Sequence, residues 1–327
     1  MKFFKSAFVT AVLAVLASAG PAQAQTAHAF PSRTVTLVVP FTPSSGSDII
    51  ARIIAPKLSA RWGQPVIVDN KPGASGNIGA AFVATAAPDG HTLLMAINSL
   101  SMTPALYQNL SFDPITNFAP VAKLADAGYA FAIHPSVPAK NMAELMALIK
   151  KSDGKMNYAT PGKGTPQHLA MELFKQHYNL DVLHVPYKGI QGALTDLAGG
   201  QVQMMVATVH SLRPLVEGGK IVEIATSGDT RNPLAPNIPT FKEQGIDVMN
   251  GIDAWYAVLA PAKTPADIIA RLNQDFIDVM NQADVKEALS KQGLAVRNST
   301  PAQLGALVKS DMARWQKVVT DAHIKAD

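Results

Sequence analysis

Three segments of this sequence are rich in glycine, serine and threonine and are the best candidates for binding a small ligand. They span residues 40–48, 69–77 and 158–165, and each lies where a predicted strand ends and a predicted helix begins. A helix start offers unpaired N–H groups and a partial positive charge, and glycine lets a ligand approach the backbone closely. Such junctions bind anions, including carboxylates. The same residue types are also ordinary in turns, so each loop taken alone has a purely structural explanation.

These residues give little support to nucleotide binding or to catalysis. Residues 73–79 have the wrong glycine spacing for a dinucleotide fingerprint, and residues 44–48 lack the Gly-Lys-Ser/Thr ending of a P-loop. The histidines are scattered, the chain has no cysteine, and no serine stands in a G-x-S-x-G motif. His168 is interpreted as a helix-start or interdomain hydrogen-bonding group, with ligand contact as the alternative. We therefore predict no catalytic residue, no metal site and no cofactor.

Alternating strand and helix patterns must position these loops. Strands are predicted at residues 34–39, 66–69, 92–97, 129–134, 156–159, 182–185, 202–206, 221–226 and 255–259. Helices are predicted at residues 48–58 and 78–86, near Thr165 and Gly189, and after the caps Asn141, Thr264 and Thr300. Repeated β-α-β units of this kind predict parallel sheets with helices on both faces.

The predicted fold class is α/β with two domains. A mature chain of about 300 residues is long enough for two domains of ordinary size, and no low-complexity linker separates them. We place the two chain crossings near residues 121–132 and 221–228. Domain 1 then comprises residues 25–125 and 227–327, and domain 2 comprises residues 126–226.

The N-terminus has the pattern of a secretory signal peptide over residues 1–24. Lys2 and Lys5 precede an apolar run at residues 7–19, and Ala22 and Ala24 fit a signal peptidase site, so cleavage is expected after Ala24. The formal charge of the chain is +4, and removing the two lysines leaves +2 without a basic cluster. This mild excess does not favour nucleic-acid binding. No later segment has the pattern of a membrane helix.

A series of motifs gives the chain a resemblance to a known family. The motifs are VVPFTPSSGSD at residues 38–48, VDNKPGASGNIG at 68–79, APDG at 87–90, YATPGKGT at 158–165 with His168, HVPYKG at 184–189, and LAP with TP at 259–265. In this order they resemble the Bug family, the extracytoplasmic solute receptors of tripartite tricarboxylate transporters. The resemblance covers essentially the mature chain.

The resemblance implies a type II periplasmic-binding-protein (Venus-flytrap) arrangement, with a ligand cleft between two domains that close about a hinge. The first and second loops would hold the proximal carboxylate of the ligand through backbone N–H groups and ordered water. Residues 160–165 and the helix that follows would bind the distal group. The closed form would be recognised by the integral-membrane permease subunits of the transporter. A periplasmic location and a monomer are expected with it.

The loops and the resemblance together predict one set of ligand-binding residues, drawn from both domains. They are Phe41, Ser44, Ser45, Gly46, Ser47, Asp48, Gly73, Ala74, Ser75, Gly76, Asn77, Asn98, Ser99, Thr160, Gly164, Thr165, His168, Ala207 and Thr208.

Two departures from the family pattern narrow the expected ligand. Members often carry aspartate at the positions of Gln203 and Ala207, and such an acid can meet the ammonium group of an amino acid. Without it, a buried ammonium would go unpaired. We therefore expect a ligand without an amino group, either a dicarboxylate or an aromatic carboxylate such as terephthalate. The alternative is that these two positions face elsewhere.

The sequence thus predicts a solute-binding protein rather than an enzyme, and two other functions remain open. A periplasmic sensor would deliver the bound carboxylate to a signalling partner and would use the same closed state. A secreted small-ester hydrolase would need a nucleophile activated by a base, and the sequence indicates none.

Overall fold

The computed structural model describes residues 30–107, 109–249 and 251–321. The predicted signal peptide and its cleavage site lie outside the described residues. Within the described ranges, no helix combines the length and the apolar character that crossing a membrane requires.

The first of two sheets combines strands from both ends of the described chain. Its strands are β1 (Val35–Val39), β2 (Val66–Asn70), β3 (Thr92–Ile97), β4 (Phe118–Ala127), β10 (Ala254–Pro261) and β11 (Leu294–Val296). They lie in the order β11-β4-β10-β3-β1-β2. β1 pairs in parallel with β2 and β3, whereas β10 runs antiparallel to both β3 and β4.

The second sheet is built from the middle of the chain. Its strands are β5 (Tyr129–Ile133), β6 (Asn157–Thr160), β7 (Leu183–Pro186), β8 (Met204–Thr208) and β9 (Val222–Thr226). They lie in the order β7-β6-β8-β5-β9. β6 pairs in parallel with β7 and β8, and β5 runs antiparallel to β8 and β9.

Helices connect most of these strands and cover both faces of each sheet. They are α1 (Gly46–Trp62), α2 (Asn77–Ala84), α3 (Ser99–Leu106), α4 (Met142–Ser152), α5 (Pro166–Tyr178), α6 (Ile190–Ala198), α7 (Val209–Glu217), α8 (Ala266–Met280), α9 (Ala283–Lys291) and α10 (Pro301–Asp321). Successive strand residues point to opposite faces. Accordingly Leu37 and Val38 of β1 are both fully buried but belong to different apolar clusters.

The predicted strand–helix alternation is confirmed, but the prediction of parallel sheets holds only for part of each sheet, because both sheets are mixed. β5 and β10 run against their neighbours in the two sheets. Each of these two strands follows, along the chain, a strand of the other sheet: β5 follows β4, and β10 follows β9. A parallel pair needs a crossover connection within one sheet, and the connections that lead to β5 and β10 do not supply one.

The two predicted helix caps near the C-terminus have different outcomes. Thr300 is confirmed, because its hydroxyl accepts the Gln303 N–H at 3.2 Å and its own N–H donates to the Gln303 side chain at 2.9 Å. Thr264 is wrong as a cap, because its buried hydroxyl instead donates to the Pro261 carbonyl at 2.7 Å. α9 and β11, which lie between these two caps, were not predicted.

The chain passes between the two sheets twice. It leaves β4 at Ala127 and enters β5 at Tyr129, and it leaves β9 at Thr226 before entering β10 at Ala254. Thr226 still hydrogen-bonds to Pro239 and Phe241, so part of the return segment stays with the second sheet. The domain boundaries proposed from the sequence stay a prediction.

Candidate ligand-binding site

A cavity of about 550 Å³ lies between the two sheets. Its walls come from the loops that follow β1, β2, β6, β7 and β8, and from side chains on β5 and β10. The carboxyl ends of parallel strands are where ligands bind in open α/β sheets, and this cavity faces such ends from two sheets at once.

About half of the residues predicted as ligand contacts line this cavity. Those that line it are Phe41, Ser45, Gly46, Ser47, Gly73, Ala74, Ser75, Gly76, Thr165 and Thr208. Those that do not are Ser44, Asp48, Asn77, Asn98, Ser99, Thr160, Gly164, His168 and Ala207. Most of the second group shape the walls from behind, as the contacts below show. Contact of any of them with a ligand stays a prediction.

The loop before α1 is held by a buried carboxylate behind it. Ser45 caps the helix by accepting the Asp48 N–H. The Asp48 carboxylate accepts the Ser44 N–H at 2.9 Å, the Asn70 amide at 2.9 Å and the Arg52 guanidinium at 3.0 Å. Burial opposes ionisation of Asp48, but these three donors outweigh it, so the pKa of this carboxyl lies below its usual range. Asp48 therefore fixes the loop, including Ser44 at a φ of 65°.

The loop before α2 has a left-handed backbone and reaches across the cavity. Residues 73–76 all have positive φ, including Ala74 at 45° and Ser75 at 56°. The Ser75 hydroxyl donates to the Lys163 carbonyl at 2.6 Å and lies 3.3 Å from the Tyr107 hydroxyl. Because Ser75 and Lys163 belong to loops of different sheets, this bond joins the two sides of the cavity mouth. Asn77 and Ser99 line a separate, water-sized cavity of about 10 Å³ behind this loop.

The loop before α5 rests on two stacked histidines. Thr165 caps the helix by accepting the His168 N–H, and the Gly164 N–H donates to His168 Nδ1 at 3.1 Å. The His168 ring stacks on His184 with centroids 4.1 Å apart, and His184 Nε2 lies 2.7 Å from the Thr160 hydroxyl. His168 is thus confirmed as a helix-start hydrogen-bonding group. Thr160 and His168 support the loop from behind.

Both histidines are expected to destabilise the fold in acid. Burial lowers the pKa of His168 to about 4 and that of His184 to about 3, below the ordinary value of 6.5. The unfolded chain therefore takes up protons first as the pH falls. The free energy of unfolding should be unaffected above pH 6.5 and should fall between pH 6.5 and about 4, by up to about 1.4 kcal/mol per pH unit for each histidine. Urea unfolding across this range measures the slope.

A double variant isolates the contribution of the histidine pair. His168→Asn keeps an acceptor near Nδ1 and His184→Gln keeps a polar group near Nε2, yet neither replacement titrates. The slope between pH 6.5 and 4 should flatten in this variant, whereas it should persist in His177→Gln, which changes an exposed histidine on the same helix. An equally steep slope in the double variant would show that other groups cause the acid sensitivity.

Two further strand-to-helix junctions line the cavity and were missed from the sequence. The loop after β7 contributes Tyr187, Lys188 and Gly189, and the start of α7 contributes Ser211 beside the predicted Thr208. The starts of α1, α2, α5, α6 and α7 therefore all border the cavity. The HVPYKG motif carried the family resemblance, and its position between a strand and a helix was the available signal.

Tyrosine side chains form much of the cavity wall and were also missed. Tyr107, Tyr129, Tyr187 and Tyr256 all line it. They come from a helix end, from two strands and from the junction after β7, so no single local pattern marks them as a group. In the sequence, Tyr129 and Tyr256 read as ordinary strand core. Asn98, a predicted contact, is almost fully buried, and its amide donates to the Asp253 carbonyl at 3.4 Å.

The charged side chains that line the cavity are Lys163 and Lys188, and neither aspartate nor glutamate lines it among the described residues. The two positions used to predict the ligand face elsewhere. Gln203 lies at the far end of β8, where it accepts the Asn157 N–H at 2.9 Å. Ala207 is fully buried in the apolar core of the second sheet. Gln203 and Ala207 therefore do not decide which ligand fits, and the expectation drawn from them is wrong; the described lining itself lacks an acidic side chain.

Solved structures place this architecture among the periplasmic binding proteins. The periplasmic binding protein BugD is 30% identical, with a TM-score of 0.83 over 90% of this chain and 100% of that one. An R. palustris protein solved with adipate is 32% identical, with a TM-score of 0.85 over 90% and 99%. MatC from Rhodopseudomonas palustris, with bound malate, is 32% identical, with a TM-score of 0.83 over 89% and 100%. The fold is thus the two-domain Venus-flytrap with a cleft between its domains.

The family follows from the sequence itself. Residues 50–324 match the family model described as tripartite tricarboxylate transporter family receptor. The chain belongs to this family, and the resemblance to Bug proteins is confirmed.

Proposed function

We propose that this protein captures a small carboxylate without an amino group and presents it to the permease subunits of a tripartite tricarboxylate transporter, without chemical change. The proposed cargo is a dicarboxylate or an aromatic carboxylate such as terephthalate. One observation carries the proposal: five helix starts and two lysines border a cavity whose described lining contains no acidic side chain. Helix starts and lysines attract anions, and an ammonium group would find no counter-charge there.

The volume of the cavity and the ligands of two related structures support the same class of cargo. A volume of about 550 Å³ falls within the usual range of small-molecule sites. The aromatic rings and prolines of the lining suit an apolar body between polar ends. Two relatives of this fold were solved with adipate and with malate, both of them carboxylates without an amino group.

The proposed placement of the cargo follows the loops. Its proximal carboxylate lies against Ser45–Ser47 and residues 73–76, and its distal group lies against Thr165 and the loop before α5. Closure of the two domains then covers the cargo. The mature protein, cleaved after Ala24, acts as a periplasmic monomer in this proposal.

A thermal-shift panel tests the proposed function. Binding to the folded state raises the melting temperature by mass action, by an amount that grows with ligand concentration. We expect succinate, adipate, phthalate or terephthalate to raise it, and aspartate and glutamate to leave it unchanged. The diamide of each stabilising diacid serves as the matched control, because it keeps the shape and removes the charge. Stabilisation by aspartate or glutamate, with none by the four diacids, would overturn the proposal.

A further inference from the structure

Tyr256 has an environment that the proposed function does not yet explain. It lies on β10, the strand that pairs with both β3 and β4 in the first sheet. Tyr256 is only 4% exposed, and it lines the cavity. A tyrosine hydroxyl buried to this degree normally has a hydrogen-bond partner.

The Tyr256 hydroxyl lies against the first residue of α1. A Cβ atom built on Gly46 would be 2.2 Å from the Tyr256 hydroxyl oxygen and 2.5 Å from the ring carbon that bears it. The absence of a side chain at Gly46 is therefore what makes room for the hydroxyl. The hydroxyl and the unpaired N–H groups at the start of α1 are brought to the same part of the cavity wall.

Two other tyrosine hydroxyls of the cavity, those of Tyr107 and Tyr187, already have hydrogen-bond partners within the protein. The Tyr107 hydroxyl lies 3.3 Å from the Ser75 hydroxyl, within hydrogen-bonding distance, and the Tyr187 hydroxyl donates to Asp196 at 2.5 Å. The Tyr256 hydroxyl, by contrast, has no hydrogen-bond partner among the residues that the structure describes. An unpaired donor that borders the cavity is positioned to bind what enters it.

The protonation state of Tyr256 makes it a donor at every physiological pH. Burial and, secondarily, the negative charge of Asp126 raise the pKa of the Tyr256 hydroxyl above its usual value. The hydroxyl therefore keeps its proton and can donate to an anion. A hydrogen bond from a neutral donor to a carboxylate is stronger than one between two neutral groups.

We propose that Tyr256 is a ligand-contacting residue, whose hydroxyl donates a hydrogen bond to the cargo carboxylate at the start of α1. This inference rests on the proposed function, because it takes a carboxylate as the acceptor. It adds a side-chain donor to a subsite otherwise made of backbone N–H groups and serine hydroxyls. Gly46 contributes to the same contact by leaving space for the hydroxyl.

A Tyr256→Phe variant tests the inference with the smallest possible change. Isothermal titration should show about tenfold weaker binding of adipate and of terephthalate, which is the usual loss when a hydrogen bond to a charged group is removed. The factor should be the same for both diacids, because the hydroxyl contacts the carboxylate that they share. The melting temperature of the unliganded variant should stay close to that of the wild type. Tyr178→Phe, which removes a hydroxyl on α5 outside the cavity, is the matched control.

The outcomes separate this inference from the proposed function. Equal affinity of Tyr256→Phe and the wild type would overturn the inference while leaving the proposed function intact. A large loss for one diacid and none for the other would also overturn it, because the ring would then contact the body of the cargo. Failure of the wild type to bind any diacid of the panel would overturn the proposed function and this inference with it.

Discussion

A Gly46→Ala variant is expected to bind carboxylates about a hundredfold more weakly than the wild type. The added Cβ would meet the Tyr256 hydroxyl at 2.2 Å and its ring at 2.5–2.8 Å, far inside any real contact distance. The ring is buried on β10 and cannot swing away without disturbing the core, so the first turn of α1 must shift. Overpacking of this kind costs roughly 1–3 kcal/mol of folding free energy, or more. Because the strain here falls on the wall of the cavity, we expect it to weaken binding. Isothermal titration with the diacid that most stabilises the wild type measures the loss.

Gly305→Ala provides the matched control for this change. Gly305 lies within α10, and a Cβ there would be 3.5 Å from Pro120, an ordinary contact. The control should keep wild-type affinity and should be slightly more stable, because alanine favours a helix more than glycine does. Wild-type affinity in Gly46→Ala would contradict the structure of this wall.

An Asp48→Ala variant should lower the free energy of unfolding by about 3 kcal/mol at pH 7. Asp48 is 2% exposed, and its removal takes away the acceptor of the Ser44 N–H and one of the two acceptors of the Asn70 amide, which keeps the Phe41 carbonyl. Breaking a buried, charge-assisted hydrogen-bond network typically lowers the free energy of unfolding by about 3 kcal/mol. Half of the Arg52 side chain is exposed, so water compensates part of the loss on that side. Urea unfolding monitored by circular dichroism gives the value.

The pH dependence of Asp48→Ala has a definite sign. The folded pKa of Asp48 lies below its unfolded value of 3.8, so its ionic contribution is present above about pH 4 and is lost as the pH falls through the folded pKa. The difference between wild type and variant should therefore shrink below pH 4. Asp284→Ala, which removes an exposed partner of Lys57, should change little at either pH. A constant difference at all pH values would assign the effect to packing instead.

Local sequence patterns predicted most of the fold and failed where distant strands intervene. The strand at residues 92–97 was placed to the residue, since its apolar run is bounded by turns. β4 was missed because it contains Pro120, which breaks the usual ladder. The structure accommodates this proline opposite Leu259, next to a register shift between Val258 and Leu259. Only the partner strand, more than a hundred residues away, makes that accommodation possible.

At the candidate site, too, local sequence patterns identified the residues of helix starts but not the residues that distant strands bring in. Ser45, Gly76 and Thr165 were predicted to be near a ligand because each belongs to a helix start, which a sequence displays locally. Tyr256 was not predicted to be near a ligand, because its position opposite Gly46 depends on how β10 inserts between β3 and β4. Asp48 was predicted as a contact from its place in the first loop, yet its three donors hold it behind that loop.

The hydrogen bond between Ser75 and the Lys163 carbonyl has a consequence for how long any cargo stays bound. It joins protein to protein across the mouth of the cavity, and Gly164 packs beside Leu106 and Tyr107 next to it. These contacts lie within the protein, so in the proposed binding cycle the same contacts must break whichever cargo escapes. The bond between Ser75 and Lys163 would therefore contribute to the residence time of every proposed cargo in the same way. Loss of this bond would then shorten the residence time of all proposed cargoes alike.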